Sequence, residues 1–371
     1  MLPLLATAAL SGLFAGIVAS TVALGIEKLG GAKGGVLGSI PTTIMPATIG
    51  LWYTILVTGP SGSATQQSIM DFQRSMLVIA PGMLANAAFL YCWRLLPWHL
   101  TSRYPSLESK NLTLLGLVAG GAFLVWFLLV TALVLVSEYS LTPPLSPASL
   151  TSPHPSVFLI ATDSNQQPML FLALVSLFLL ASLGIAGTWH AKPTPKSNSK
   201  TPARTTLLRA AAAAVAIFLA VLLGHLNPIL GGIMSFFPAI FGTAMVSVWL
   251  SSGRAVSVGA VEPLMLGSCS VVVFAIAVSF LLPGLDAVLE GGVGAVVAAV
   301  VVAFLAAAGC VSVPAFVYIS WRGKVNAAGE EAPTVDGQTT EMEVVEEGGV
   351  DGKQVEFVVA SGETSPEVVN Q

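Results

Sequence analysis

Nine runs of predominantly apolar residues succeed one another along this chain, at about 2–26, 34–58, 74–97, 112–137, 168–188, 206–224, 231–250, 258–283 and 288–320. A helix rises about 1.5 Å per residue, so runs of this length can cross the roughly 30 Å of hydrocarbon in a bilayer. Lipid offers no partner to a backbone N–H or C=O, so such segments must satisfy themselves as helices. Composition agrees: 54% of the 371 residues are hydrophobic and 9% charged, too few charges to cover a soluble fold of this size. The expected fold is an all-α, polytopic transmembrane helical bundle of about nine spans. No basic residue precedes the first run, which predicts a retained helix rather than a cleaved signal peptide. The ninth run is long enough to tilt or to end in an interfacial turn near Pro314.

Lys and Arg favour cytoplasmic loops. With the amino terminus outside or lumenal, Lys28, Lys33, Arg94, Arg103 and Lys110 all fall inside. So do Lys192, Lys196, Lys200, Arg204, Arg209, Arg254 and Arg322, leaving only Arg74 near an outer loop. The connection from Glu138 to Pro168 has no Lys or Arg and belongs outside. One missed span would invert every later loop, so this partition predicts nine spans with a cytoplasmic carboxyl terminus.

Two of the runs repeat each other. Gly34-Gly35-Val36-Leu37-Gly38-Ser39-Ile40-Pro41 aligns without a gap on Gly231-Gly232-Ile233-Met234-Ser235-Phe236-Phe237-Pro238, and the same register brings Trp52 onto Trp249. Leu95-Leu96-Pro97 recurs as Leu281-Leu282-Pro283, each expected to close a long apolar helix. An internal duplication follows. Residues 1–137 form the first four-helix repeat and 206–322 the second. Between them, 138–205 holds a Pro/Ser-rich outer loop, a connector helix and a basic inner linker able to touch anionic lipid. One helix between two four-helix units turns the second upside down, giving inverted repeats of the kind recurrent in secondary transporters. Residues 323–371 hold most of the carboxylates and read as an acidic, disordered cytoplasmic tail.

The segment Ile229 to Phe241 resembles the second-helix signature of small bacterial GlpM-like membrane proteins, single four-helix units with a Gly, apolar, Phe-Pro pattern. Gly34 to Pro41, followed by Asp71-Phe72-Gln73-Arg74-Ser75, is similar to the pattern in related four-helix proteins of unknown function. The resemblance covers both units but not the connector, the Pro-rich loop or the tail. It implies an architecture, an inverted fusion of units that elsewhere pair as separate chains, and no activity.

Within each unit the chemistry belongs at the Gly-Gly-to-Pro segment. Proline lacks an N–H and clashes with the preceding turn, so Pro41, Pro46 and Pro238 are expected to kink or break their helices, with Gly34, Gly35, Gly231 and Gly232 as companion hinges. The freed backbone groups need neighbours, water or a solute. Ser39, Thr42 and Thr43 flank one break and Ser235, Thr243 and Ser247 the other, hydroxyls able to bind a polar solute. The same Gly and Ser residues equally suit close helix packing. Asn86, deep in the third run, is either an interhelical tie or part of the site, and Val272 takes its place in the second unit. Asp71, beside Arg74, and Glu262 are the carboxylates nearest the membrane and are candidates for proton coupling, or simply interfacial.

Enzymatic motifs are weak. Gly59-Pro60-Ser61-Gly62 matches a short intramembrane-protease pattern but falls in an outer loop, and His99, His154, His190 and His225 lie at span ends or in loops. Cys92, Cys269 and Cys310 are isolated, which predicts neither disulfide nor metal site. No catalytic residue, cofactor, metal or nucleic-acid partner is expected; the expected partners are membrane lipid and an unidentified small solute. The reading is a secondary transporter working by alternating access, the alternative a non-transporting membrane scaffold or lipid-interacting protein.

Overall fold

In a computed structural model of the chain, residues 2–29, 36, 40–42, 44–58, 66–140, 167–189, 203–289 and 293–330 are described. Among them every regular element is helical. The elements begin with α1 (Leu2–Leu29), α2 (Ile44–Thr58), α3 (Gln66–Leu77), α4 (Ile79–Arg103), a short 3-10 turn at Pro105–Leu107 and α5 (Asn111–Ser140). Next come α6 (Gln167–Trp189), α7 (Ala203–Leu226), α8 (Pro228–Ser235) and α9 (Ala239–Ser252). The chain continues through α10 (Arg254–Gly259), α11 (Val261–Val288), α12 (Val293–Ala307), a π-turn at Ala308–Ser312 and α13 (Val313–Glu330).

Among the described residues, six helices are long and apolar enough to cross a membrane: Gln67–Arg103, Asn111–Ser137, Gln167–Trp189, Thr206–Leu226, Arg254–Asp286 and Val293–Val325. The other three expected spans are not among these six, for separate reasons. The 231–250 run is divided into α8 and α9, of 8 and 14 residues. With 15 residues, α2 reaches only about 22 Å. Helix α1 runs for 28 residues, Leu2–Leu29, about 42 Å, and Pro3–Val18 is the apolar stretch within its described side chains.

Gln67–Arg103 and Arg254–Asp286 form the centre of the bundle, 72% of each apolar window being buried against 22 to 29% in the other four. They run antiparallel. Arg94 pairs with Glu262 at one end, and Gln73 Nε2 donates to the Ser279 carbonyl at 3.1 Å at the other. Helices α1 and α7 are antiparallel too, through a glycine seam: a methyl on Gly12 would lie 2.6 Å from the Ala214 carbonyl oxygen, and one on Gly16 3.0 Å from that of Ala210. Four-residue spacing puts both glycines on one face, and small residues let backbones approach where lipid supplies no hydrophobic drive. The connector α6 buries Ala173, Ser176, Leu180, Gly184 and Thr188. Gly184 and Gly187 admit Leu266 and Glu262 of α11. Trp52 and Trp249, matched in the repeat, are both 1% exposed. Trp52 meets Phe72 edge-on at 5.0 Å and Trp249 meets Trp93 at 6.0 Å.

Several prolines behave otherwise than expected. Pro97 and Pro283 close nothing: both lie inside helices that run on to Arg103 and Val288. A proline costs a helix one hydrogen bond and a local clash, and neighbouring helices can absorb both. Pro46 is the third residue of α2, in the first turn, where its missing N–H has no intrahelical partner to lose. It starts that helix rather than kinking it. Pro314 is preceded by the π-turn at Ala308–Ser312, whose extra residue per turn accommodates the proline, so the helix continues instead of ending at an interface. It runs to Glu330, past the expected start of the tail. Residues 332–371, like most of 141–202, lie outside the described residues.

Candidate functional site

Asn227 starts α8: its Oδ1 accepts from the backbone N–H of Ile229 at 2.8 Å and Leu230 at 3.2 Å, with Pro228 next in line. That is an N-cap followed by the proline that suits a first helical turn. The helix ends one turn before Pro238, which has no N–H to extend it. Phe237 N donates to the Met234 carbonyl at 3.2 Å, and Ala239 N to the Phe237 carbonyl at 2.8 Å. The second bond closes a three-residue turn centred on Pro238. The same turn is made at Pro41, where Thr42 N donates to the Ile40 carbonyl at 2.7 Å. Ile40, Pro41 and Thr42 are the residues that the repeat aligns with Phe237, Pro238 and Ala239.

Breaking α8 frees the Phe236 carbonyl. Asn86 Nδ2 donates to it at 2.9 Å, while Asn86 Oδ1 accepts from Trp126 Nε1 at 2.7 Å. Asn86 is 1% exposed and ties α4, α5 and the break together. Its counterpart Val272 is fully buried and apolar.

A cavity of about 50 Å³ lies between the two turns, enough for a few water-sized molecules. Ile40 and Ile44 line it from the first break; Ser235, Phe236, Phe237 and Ala239 line it from the second. Met83 and Asn86 of α4, Ala213, Ala216 and Ile217 of α7, Phe241 and Val271 also line it. Asn86 and Ser235 are thus brought together. Thr42 and Thr243 are not in the lining, and their hydroxyls donate to their own backbone, Thr42 to Ile40 at 3.3 Å and Thr243 to Ala239 at 2.8 Å. Ser235 likewise donates to the Gly232 carbonyl at 2.6 Å. Ser39, Thr43, Gly34 and Gly35 lie outside the described residues, and so does the side chain of Ser247 on α9.

Gly231 and Gly232 have a packing role. Both are inside α8, and a methyl would stand 2.3 Å from the Gly224 Cα or 2.3 Å from the Ser75 carbonyl oxygen, respectively. Among the described residues, only Gly253 has a positive φ, 86°, where the chain leaves α9 for α10.

The two carboxylates sit away from the cavity. Asp71 Oδ1 accepts from Gln67 Nε2 at 3.0 Å and stands 3.8 Å from Arg74. It is fifteen residues before Asn86, about 22 Å of helix. Glu262 is buried against Gly187 and bonded to Arg94, nine residues before Val271 or about 13 Å. Neither the Arg94–Glu262 pair nor the Trp126 bond is foreseen from sequence. For Trp126 a signal existed, since a mid-span indole N–H needs an acceptor. For the ion pair none did, because 168 positions separate its members.

Among the described residues no three His, Cys, Asp or Glu converge on a metal-sized site, and Cys92, Cys269 and Cys310 are free thiols. Comparisons with protein-family models, curated proteins and solved structures find no match for this chain.

Proposed function

We propose that this chain is an integral membrane protein of nine spans, built of two inverted four-helix repeats, that moves a small solute by alternating access. The observation that carries the reading is the turn made twice: each repeat contributes one proline-centred break, and both border one cavity. Broken helices from opposed repeats meeting around a central site are the arrangement through which two units can rock about a fixed solute. The antiparallel courses of α1 against α7 and of α4 against α11 support inversion, since inverted units run their matching helices in opposite directions. With the amino terminus outside and the carboxyl terminus cytoplasmic, Arg94–Glu262, Trp249–Asn111 and Arg322–Trp189 all join inner ends, and Gln73–Ser279 joins outer ends. A scaffold without transport is the second reading, favoured by the packing role of Gly231 and Gly232 and by the apolar wall of the cavity. The duplication is what a fused pair of GlpM-like units would show.

Reconstituted uptake separates the two. Under the transport reading, Pro41→Ala and Pro238→Ala each insert normally and each abolish solute flux. Under the scaffold reading both leave any activity of the protein unchanged and add a little stability by restoring a helix hydrogen bond.

Asn111-Leu112-Thr113 is a glycosylation sequon, yet Asn111 Oδ1 accepts from the buried Trp249 Nε1 at 2.8 Å, and the proposed topology puts it in the cytoplasm. Protein from a glycosylating host is expected to show no endoglycosidase-sensitive mobility shift at this site. A shift that disappears in Asn111→Gln would overturn the orientation.

A further inference from the structure

Among the described residues, the polar side chains lining the cavity are already paired with the protein itself. Asn86 gives its amide hydrogen to Phe236 and takes one from Trp126, and Ser235 bonds back to Gly232. What faces the space is therefore mostly isoleucine, alanine, phenylalanine, methionine and valine. No ionisable residue lies in the segments that build the wall. The described segments Ile40 to Thr42, Ile44 to Thr58, Ser75 to Trp93, Ala210 to Gly224, Leu226 to Gly253 and Pro263 to Leu285 contain no Asp, Glu, Lys, Arg or His. The nearest charged positions along the chain are Arg209, four residues before Ala213, Lys33, seven before Ile40, and Arg94, eight after Asn86.

We infer that the site between the Pro41 and Pro238 turns takes a small uncharged solute of a few heavy atoms and rejects ions of the same shape. An ion there would shed its water with no countercharge to replace it. A neutral amide or alcohol sheds far less, and its carbon atoms fill a gap between Ala213, Ala216 and the phenylalanines that is otherwise short of contacts. Where no ion moves with it, transport of such a solute carries no charge, and its flux is then indifferent to membrane potential. This rests on the transport reading for the flux but not for the binding.

Isosteric pairs of probes test it: acetamide against acetate, and formamide against formate, on the purified full-length chain. Both amides are expected to raise the unfolding temperature in a saturable way, with half-maximal concentrations about a hundredfold below those of the carboxylates. Ala216→Leu, which fills the cavity, is expected to lose the response while keeping its own cooperative unfolding. Ala213→Val serves the same purpose with a smaller change. Stabilisation by a carboxylate as strong as by its amide, a response to neither, or an amide response that survives both cavity-filling variants overturns the inference. An acetate response removed by Arg209→Ala would do so and identify the countercharge. Uptake of labelled acetamide into proteoliposomes, at 0 mV and at an imposed potential, separates the two readings. Amide binding without protein-dependent uptake leaves the solute class standing and removes transport. Potential-driven uptake of acetate leaves transport standing and removes the solute class.

Discussion

Arg94→Met is expected to destabilise the helical unit by about 2–3 kcal/mol, because it strands Glu262 without a partner. Glu262 is 5% exposed and lies in the notch left by Gly187, so water cannot fully take over from the guanidinium. A wholly buried pair loses about 3–5 kcal/mol when one partner goes. The Arg94 side chain is 44% exposed, which lowers the expectation. Removing both charges, Arg94→Met with Glu262→Met, is expected to recover most of the loss, since replacing a pair by apolar groups of similar volume is often close to neutral. Unfolding of the two variants in the same detergent or bicelle checks this. An Arg94→Met protein as stable as the parent would mean that α4 and α11 are not joined at this end.

Asn86→Leu is expected to cost about 2–4 kcal/mol and to leave the second break unlatched. The substitution keeps the volume roughly constant but orphans two buried groups, the Phe236 carbonyl and the Trp126 indole N–H. Each unsatisfied buried polar group costs about 1–3 kcal/mol. Interhelical hydrogen bonds in membranes average only about 0.6 kcal/mol, because the unfolded chain finds partners too, and the expectation is held down for that reason. Combining Asn86→Leu with Trp126→Phe isolates the bond between them: the double change should cost less than the sum of the singles. Strict additivity, measured by unfolding, would show that the two side chains do not meet.

How much of this was legible in the chain depends on the range over which each feature is encoded. Helicity is written in runs of about twenty residues, and among the described residues six of these runs coincide with helices long and apolar enough to span a membrane. The break at Pro238 was legible because a proline seven residues into a run lacks an N–H wherever it is placed. Pro46, Pro97 and Pro283 show the limit of the same argument. Whether a proline breaks a helix depends on where the helix starts and what packs beside it. Hydroxyl-bearing residues near the breaks were a poor guide to the site, because Ser and Thr in helices bond back to carbonyls three or four residues earlier, as Ser235 and Thr243 do. Pairings between distant positions, Arg94 with Glu262 or Gly12 with Ala214, carry no local trace. Gly12 and Gly16 do announce a close contact by their spacing, but not with which helix.

The central claim is that the two proline turns are opposed gates on one cavity, and labelling of a single cysteine inside that cavity tests it most directly. With Cys92, Cys269 and Cys310 replaced, Ser235→Cys places a thiol in the lining, and a membrane-impermeant reagent is applied from either side of oriented vesicles. The Pro41 turn belongs to the inner half of its span and the Pro238 turn to the outer half of its own under the proposed orientation. Pro41→Ala is therefore expected to reduce labelling from the cytoplasmic side and Pro238→Ala labelling from outside, each leaving the other side accessible. Equal changes in the two variants, or labelling that neither substitution alters, would contradict alternating access about this cavity.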